Sequence, residues 1–322
     1  AIGMDLAAWR STSYTANGTL RTANGNIRLI GRANGGPSGN LAVAVDGTTG
    51  NRNIFAATGS GTITFDGLAS GASNIDCRLT STDLLAASGD IRVIGQSSGG
   101  LSISNWIGDG LYLGQKAASL VTSSSSNITL RANAISTTNT LSVNSSGTLT
   151  VEPYGNSFSV GLSWPLSNTT LAGTVSGLTL GKSTNTATIT LTAATTIAGP
   201  VTMYGSGLTI NENLASSASG NISLYGNTLT VAAGKTISSA GTLIVEPQTN
   251  GTTIGIAGGA GTLSLPATYF SSNFSNGFSE IQIGNSNAGA ITLGAALTLQ
   301  DPLQLITSGN LALNETLELG SN

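Results

Sequence analysis

Short triplets of apolar, small polar and apolar residues recur along most of the chain. Examples are LSV at 141–143, LTL at 178–180 and LTV at 229–231. Side chains alternate between the two faces of a β-strand, so each triplet predicts a very short strand with two side chains on one face. Gly, Asn, Ser and Thr fill the intervals between triplets and favour turns. No window has a 3.6-residue period with helix caps, so we expect an all-β chain.

Imperfect internal repeats accompany these triplets. Residues 120–153 align with residues 214–247, so that NITL matches NISL and GTLTVEP matches GTLIVEP. A shorter unit, in which Gly is followed by Asn or Asp and then Ile, recurs at 25–29, 89–93 and 220–224. Repetition of short strands and turns is typical of solenoid proteins.

The pattern favours a parallel β-helix, or β-solenoid, over a sandwich, whose strands run to about 5–6 residues. If two or three triplets make one coil, a coil has about 20–30 residues and the chain about 11–16 coils. Residues 1–119 are less regular in sequence than residues 120–322. We expect both parts to form one continuous domain.

The segment SGNISLYGNTLTVAAGKTISSAGTL at 219–243 resembles the repeats of filamentous-haemagglutinin-like exoproteins. These are large secreted bacterial adhesins, often exported by two-partner secretion. The resemblance covers residues 120–322 well and the first third weakly. It implies a right-handed parallel β-helix, an extracellular or cell-surface location and a role in a surface fibre.

Composition excludes several classes of function. Charged residues are 8 % of the chain, against about 25 % in an ordinary globular domain, and His is absent. A Ser-His-Asp triad and His metal ligands are therefore excluded, and a single Cys excludes an internal disulfide framework. A net charge of −3 gives no footprint for nucleic acid. No apolar stretch is long enough to span a bilayer, and we expect no metal or cofactor.

The N-terminus AIGMDLAAWR has no basic region followed by an apolar stretch. We expect that a leader was removed or that the chain is part of a longer protein. Residues 1–131 contain nine basic and seven acidic residues, and residues 132–322 contain two and seven. This difference in charge favours head-to-tail contact only weakly, because exposed ion pairs contribute little.

Three Asp-Gly pairs, which begin at Asp46, Asp66 and Asp109, are candidates for chemistry. The first two are about one predicted coil apart. If their carboxylates stack on one face, they could bind Ca²⁺ or act as the acid pair of a carbohydrate-active enzyme. The alternative is that Asp-Gly forms ordinary turns.

An aromatic cluster of Tyr269, Phe270, Phe274 and Phe278 interrupts the triplets at 266–278. One interpretation is an excursion loop that presents these side chains to a glycan or receptor. The other is that the loop folds back and its rings cover apolar coil surface.

The remaining motifs have structural interpretations. Glu152 and Glu246 occupy equivalent Val-Glu-Pro motifs, which we expect to end strands. Because they lie several coils apart, they cannot form one catalytic pair. Cys77 alternates with two apolar residues, which predicts a buried and unreactive thiol.

We therefore expect a non-enzymatic structural protein of a secreted bacterial surface fibre or adhesin. Its expected partners are further coils, supplied by the same chain or by end-to-end stacking, and host or surface glycans. Two alternatives stay open at this point. They are an Asp-based carbohydrate-active β-helix enzyme and a glycan- or receptor-binding module that uses the aromatic segment.

Overall fold

The structure is a computed structural model that describes residues 18–33, 41–46, 52–69, 75–97, 100–103 and 111–320. Its contacts divide the chain into two compact units. The first unit is Ala1–Val160 with Pro165–Ser176, and the second is Gly161–Trp164 with Gly177–Asn322. The expected single continuous domain, with a boundary at 119/120, stays a prediction.

In the described part of the first unit, each coil supplies one strand to each of three parallel sheets, here named faces one, two and three. Face one contains β2 (Ile27–Ala33), β5 (Ile63–Ala69), β8 (Ile91–Gly95), β11 (Ile128–Arg131) and β14 (Thr148–Glu152). Face two contains β3 (Leu41–Asp46), β6 (Ile75–Thr80), β9 (Leu101–Ile103) and β12 (Ile135–Thr137). Face three contains β1 (Thr19–Thr22), β4 (Asn53–Ala57), β7 (Thr82–Ala86), β10 (Leu111–Gly114), β13 (Leu141–Asn144) and β16 (Thr169–Leu171).

The second unit has the same three-strand coil. Face one contains β17 (Gly177–Leu180), β20 (Val201–Tyr204), β23 (Ile222–Tyr225), β26 (Thr242–Glu246), β29 (Glu280–Ile283) and β32 (Leu303–Leu305). Face two contains β15 (Leu162–Trp164), β18 (Ile189–Leu191), β21 (Gly207–Ile210) and β24 (Thr228–Val231), then β28 (Leu263–Leu265), β27 (Ile254–Ile256), β30 (Ile291–Leu293) and β33 (Leu311–Leu313). Face three contains β19 (Thr195–Ile197), β22 (Leu214–Ser216), β25 (Ile237–Ser238), β31 (Leu297–Leu299) and β34 (Leu317–Leu319).

This arrangement confirms the predicted parallel β-helix of short strands. The described residues place five strands on face one of the first unit and six on face one of the second. Coil length follows from the register of face one. It varies from 21 residues, where Ile128 pairs with Leu149, to 38 residues, where Leu243 pairs with Ile281. The coil from Leu243 to Ile281 exceeds the predicted 20–30 residues because it contains an additional strand pair and a helical turn.

Inward side chains of successive coils form aliphatic columns. On face one of the second unit, Leu180, Met203, Leu224 and Val245 occupy one register column, and each is at most 1 % exposed. Burial of each such side chain contributes about 1.5–3 kcal/mol. The polar middle residue of each triplet points outward, as the alternation predicts.

The repeated Gly-Asn-Ile unit has a specific role at the corner before face one. The backbone N–H of Thr242 donates to Oδ1 of Asn221 at 3.0 Å, so the side chain of one coil binds the backbone of the next. Asn26 and Asn127 accept the equivalent bonds from Thr62 and Thr148. Each Asn satisfies a corner N–H that has no strand partner.

Part of the aromatic segment contacts the ladder of face three. After β26 the chain makes a small extra turn, so that β27 pairs in parallel with β28 only a few residues later. The chain then forms a short helical turn, Tyr269–Asn273. Phe274 next forms a parallel bridge to Ile237, which places the segment beside β25 on face three. Phe274 and Ser275 thus bond to the ladder, while the expected excursion at 266–278 stays a prediction.

Gly220, the glycine of the Gly-Asn-Ile repeat at 220–224, allows close approach of the neighbouring coil. A Cβ at Gly220 would lie 2.3 Å from the backbone carbon of Gly199. We expect Gly220→Ala to lower the free energy of unfolding by about 1–3 kcal/mol, because backbone must move to admit the methyl group. Denaturant unfolding measures this change.

The matched control is Gly173→Ala, since a Cβ at that exposed glycine meets nothing within 4 Å. Equal stability of the two variants would contradict the assignment of Gly220 to a close backbone approach.

Candidate functional site

The structure places most of the predicted aromatic site in the interior. Tyr269, Phe274 and Phe278 are 6 %, 4 % and 3 % exposed, and Phe270 is partly exposed. The rings of Phe270 and Tyr269 lie 5.5 and 5.6 Å from that of Phe274. The Tyr269 hydroxyl donates to the carbonyl of Leu229 at 2.9 Å. The four rings therefore cover apolar coil surface, which is the second of the two interpretations.

Ligand binding by these four residues stays a prediction, and burial makes three of them poor contacts for an external partner. Tyr269 also accepts the backbone N–H of Val231 at 2.9 Å, so it binds both polar groups of the β24 backbone that face it. Burial raises the pKa of Tyr269, and this hydrogen bond lowers it in part. The phenol therefore acts as an internal backbone partner.

The predicted acidic pair is not brought together. Asp46 ends β3 on face two, where its register partner is Thr80. Asp66 lies within β5 on face one, between Ile30 and Ile94 in register. The two therefore belong to different columns, because this coil is longer than 20 residues. Asp66 is not in a turn either, and Asp109 lies outside the described residues.

Two carboxylates that sequence reasoning missed are buried in the first unit. Asp76 is 0 % exposed and accepts backbone N–H groups from Ala69, Ser97 and Gly100 at 2.7, 2.8 and 3.0 Å. The Ser97 hydroxyl adds a fourth bond at 2.6 Å. This carboxylate joins backbone segments that are distant in sequence, which is a structural role.

Asp83 is the second buried carboxylate, and it lies against a tyrosine ring between two cations. Nε of Arg52 donates to Asp83 at 2.7 Å, and Nζ of Lys116 donates to it at 3.1 Å. The guanidinium and the ammonium lie 4.7 and 4.6 Å from the centroid of the Tyr112 ring. The cations therefore neutralise Asp83 and hold Tyr112 by cation–π contacts.

The two Val-Glu-Pro motifs end face-one strands, as predicted, and each Glu binds side chains of neighbouring coils. Oε1 of Glu152 lies 3.1 Å from Nε of Arg131. Glu246 accepts bonds from the amides of Gln282 and Asn285, both at 2.9 Å. In register, Glu246 follows Tyr225 on the outer side of the sheet.

Two outward tyrosines precede Glu246 in the same column. Tyr204 pairs in register with Tyr225, and their rings stack with centroids 4.6 Å apart and planes within 10°. Both side chains are partly exposed. Partial burial raises the pKa of each phenol, and the charge of Glu246 raises it further. We call Tyr204, Tyr225 and Glu246 the tyrosine column; Gln282 lies beside it, in register with Ile244.

Cys77 is fully buried, as predicted. Burial raises the pKa of its thiol, and the neighbouring charge of Asp76 raises it further. Within the described ranges, no group of three or more His, Cys, Asp or Glu side chains could hold a metal ion. No helix found in that part of the chain is long and apolar enough to cross a membrane.

A different surface is apolar and exposed at the coil of β33 and β34. Leu311, Leu313 and Leu319 are 47 %, 50 % and 61 % exposed. Their register partners in the preceding coils include Ile291 and Leu293, which are at most 1 % exposed. We call these three leucines the leucine edge.

Comparisons with known proteins add no family to this description. No protein-family model, no curated protein and no solved structure matches the chain. The functional argument therefore depends on the geometry of these surfaces.

The stacked tyrosines provide a test of the electrostatics at Glu246. Glu246→Gln removes a negative charge, so we expect the pKa of Tyr204 and Tyr225 to fall towards the ordinary tyrosine value. Because the folded state disfavours the phenolate, the free energy of unfolding falls as the pH rises from the ordinary tyrosine value, about 10, through the folded-state values. Ultraviolet phenolate absorbance, titrated in the folded protein, measures the change.

The matched control is Glu212→Gln, which removes a charge paired with Lys235 elsewhere in the second unit. The change that Glu246→Gln causes in the phenolate titration should vanish when Tyr204 and Tyr225 are both replaced by Phe. If it persists there, the assigned coupling is wrong.

Proposed function

We propose that this chain is a non-enzymatic structural segment of a secreted bacterial surface fibre or adhesin, in which further coils, of the same chain or of a second copy, continue the β-helix beyond the leucine edge. The observation that carries the proposal is the exposure of Leu311, Leu313 and Leu319 at inward positions. In preceding coils such positions are covered by the next coil.

The geometry of the edge favours another coil as the occupant. A parallel strand exposes backbone N–H and C=O groups along its free side, and these pair best with a strand of the same spacing. The leucine side chains add apolar area that is buried only when a further layer of inward side chains stacks on it. A further coil, of the same chain or of a second copy, supplies both features.

The rest of the described surface supports a scaffold rather than a catalyst. The buried carboxylates Asp76 and Asp83 are held by donors within the fold. Asp46 and Asp66 lie in different columns. The resemblance of residues 219–243 to exoprotein repeats supports this proposal. The secreted location that we propose is based on that resemblance.

Replacement of leucines at the edge tests the proposal. We expect the wild-type chain to form end-to-end assemblies as its concentration rises. Leu311→Asp with Leu313→Asp should raise the concentration required by at least about tenfold, because two side chains worth about 1.5–3 kcal/mol each can no longer be buried. Sedimentation velocity and negative-stain electron microscopy measure assembly.

Val160→Asp is the control, since Val160 is 65 % exposed and belongs to the first unit. A wild-type chain that stays monomeric at high concentration would overturn the proposal, as would equal assembly of the edge variant.

A further inference from the structure

An outward aromatic pair is the least expected feature of face one in the second unit. The other outward positions of these two strands, Thr202 and Ser223, are small and polar, as is Thr179 of the preceding coil. Tyr204 and Tyr225 replace such residues with two large rings in adjacent coils. Because the strands are parallel and in register, equal side chains in successive coils lie directly above one another.

The strand position beside Tyr204 carries no side chain. Leu180 pairs with Met203, so Gly181 occupies the next position beside Tyr204. Gly181 has a φ of +79°, and a Cβ there would lie 2.3 Å from the carbonyl oxygen of Tyr204. The ring face of Tyr204 that points away from Tyr225 is therefore not covered by a side chain of that strand position.

The opposite end of the pair is polar and ordered. Glu246 follows Tyr225 in register, and its two carboxylate oxygens accept one bond each, from Gln282 and Asn285. Each carboxylate oxygen retains a lone pair for another donor. The amide oxygens of Gln282 and Asn285 are further acceptors. This end of the tyrosine column therefore offers several fixed acceptors to a ligand rich in hydroxyl groups.

Ile244 adds apolar surface at the polar end, in the same strand as Glu246. It points outward from β26, between Ser223 and Gln282 in register, and is partly exposed. Two aromatic rings, one aliphatic side chain and an amide-held carboxylate thus occupy adjacent coils on one side of the sheet. Apolar surface with a few oriented polar groups is the composition of a small-molecule site.

We propose that the tyrosine column binds a neutral oligosaccharide. The apolar C–H face of one pyranose ring packs on the open face of Tyr204, while hydroxyl groups of another sugar of the same oligosaccharide donate to Glu246 and Gln282 at the other end. A negatively charged sugar would meet the charge of Glu246, which already raises the pKa of both tyrosines. The chain thus carries a glycan site on a regular strand face, away from the buried aromatic segment at 266–278.

The first experiment applies the full chain to an array of neutral, sialylated and sulphated glycans. We expect the protein to bind neutral glycans on the array, and isothermal titration calorimetry then gives its affinity for them. No retained glycan, or retention of acidic glycans only, would overturn the proposal.

Variants then locate the site. Tyr204→Ala with Tyr225→Ala should weaken binding of the retained neutral glycan by at least about tenfold. The corresponding double Phe variant keeps the rings and should retain most of the affinity. Gln282→Ala removes one polar group, leaves the rings in place and should weaken binding by a smaller factor.

Tyr154→Ala is the matched control, because that tyrosine lies against Arg131 in the first unit. Circular dichroism and thermal unfolding check that each variant is folded. If the double Ala variant folds and binds as well as wild type, the rings have only a packing role and the proposal fails. End-to-end assembly is a separate measurement, so failure here leaves the leucine edge to its own test.

Discussion

The backbone ladder between successive coils is the constraint on which every other feature of this protein depends. Most strands of the second unit have three or four residues, so one strand forms few hydrogen bonds and cannot be stable alone. Each is stable only between the strands of the coils on either side. The ladder therefore requires parallel register, and register requires that every coil present inward aliphatic side chains at the same positions. The Gly-Asn-Ile corner meets a related demand, because Gly220 permits close approach and Asn221 binds the next coil.

Much of this architecture could be predicted from residues, because the constraint leaves a local pattern. An apolar–polar–apolar triplet such as residues 222–224 specifies a strand and its inward side, and repetition of such triplets specifies stacking. Coil length has no equally local pattern. The chain between Leu243 and Ile281 contains an additional strand pair and a helical turn, and nothing in its composition predicts that Phe274 joins the ladder at Ile237.

The positions of polar side chains are harder to predict from the sequence, because their roles depend on which backbone segments meet. Asp76 is held in the interior by backbone N–H groups from the end of β5 and from the connection between β8 and β9. Asp46 and Asp66 are separated because their coil is long. The two tyrosines stack because they are in register. To predict this from the sequence, one must already know the length of the coil that separates Tyr204 from Tyr225. Burial of Cys77, in contrast, follows from simple alternation.

The ladder also determines where a surface can become specific. Interruption of the triplets at 266–278 looks like the natural place for a binding loop, but the interruption exposes apolar coil that must be covered, and Tyr269, Phe274 and Phe278 cover it. Outward positions of unbroken strands have no such obligation. Substitution there leaves the inward column unchanged, so two adjacent coils can both acquire a tyrosine without disturbing the core. A regular strand face is therefore the region of this fold where side chains are most free to serve a partner, and a broken repeat is the region where they are most needed for the fold itself.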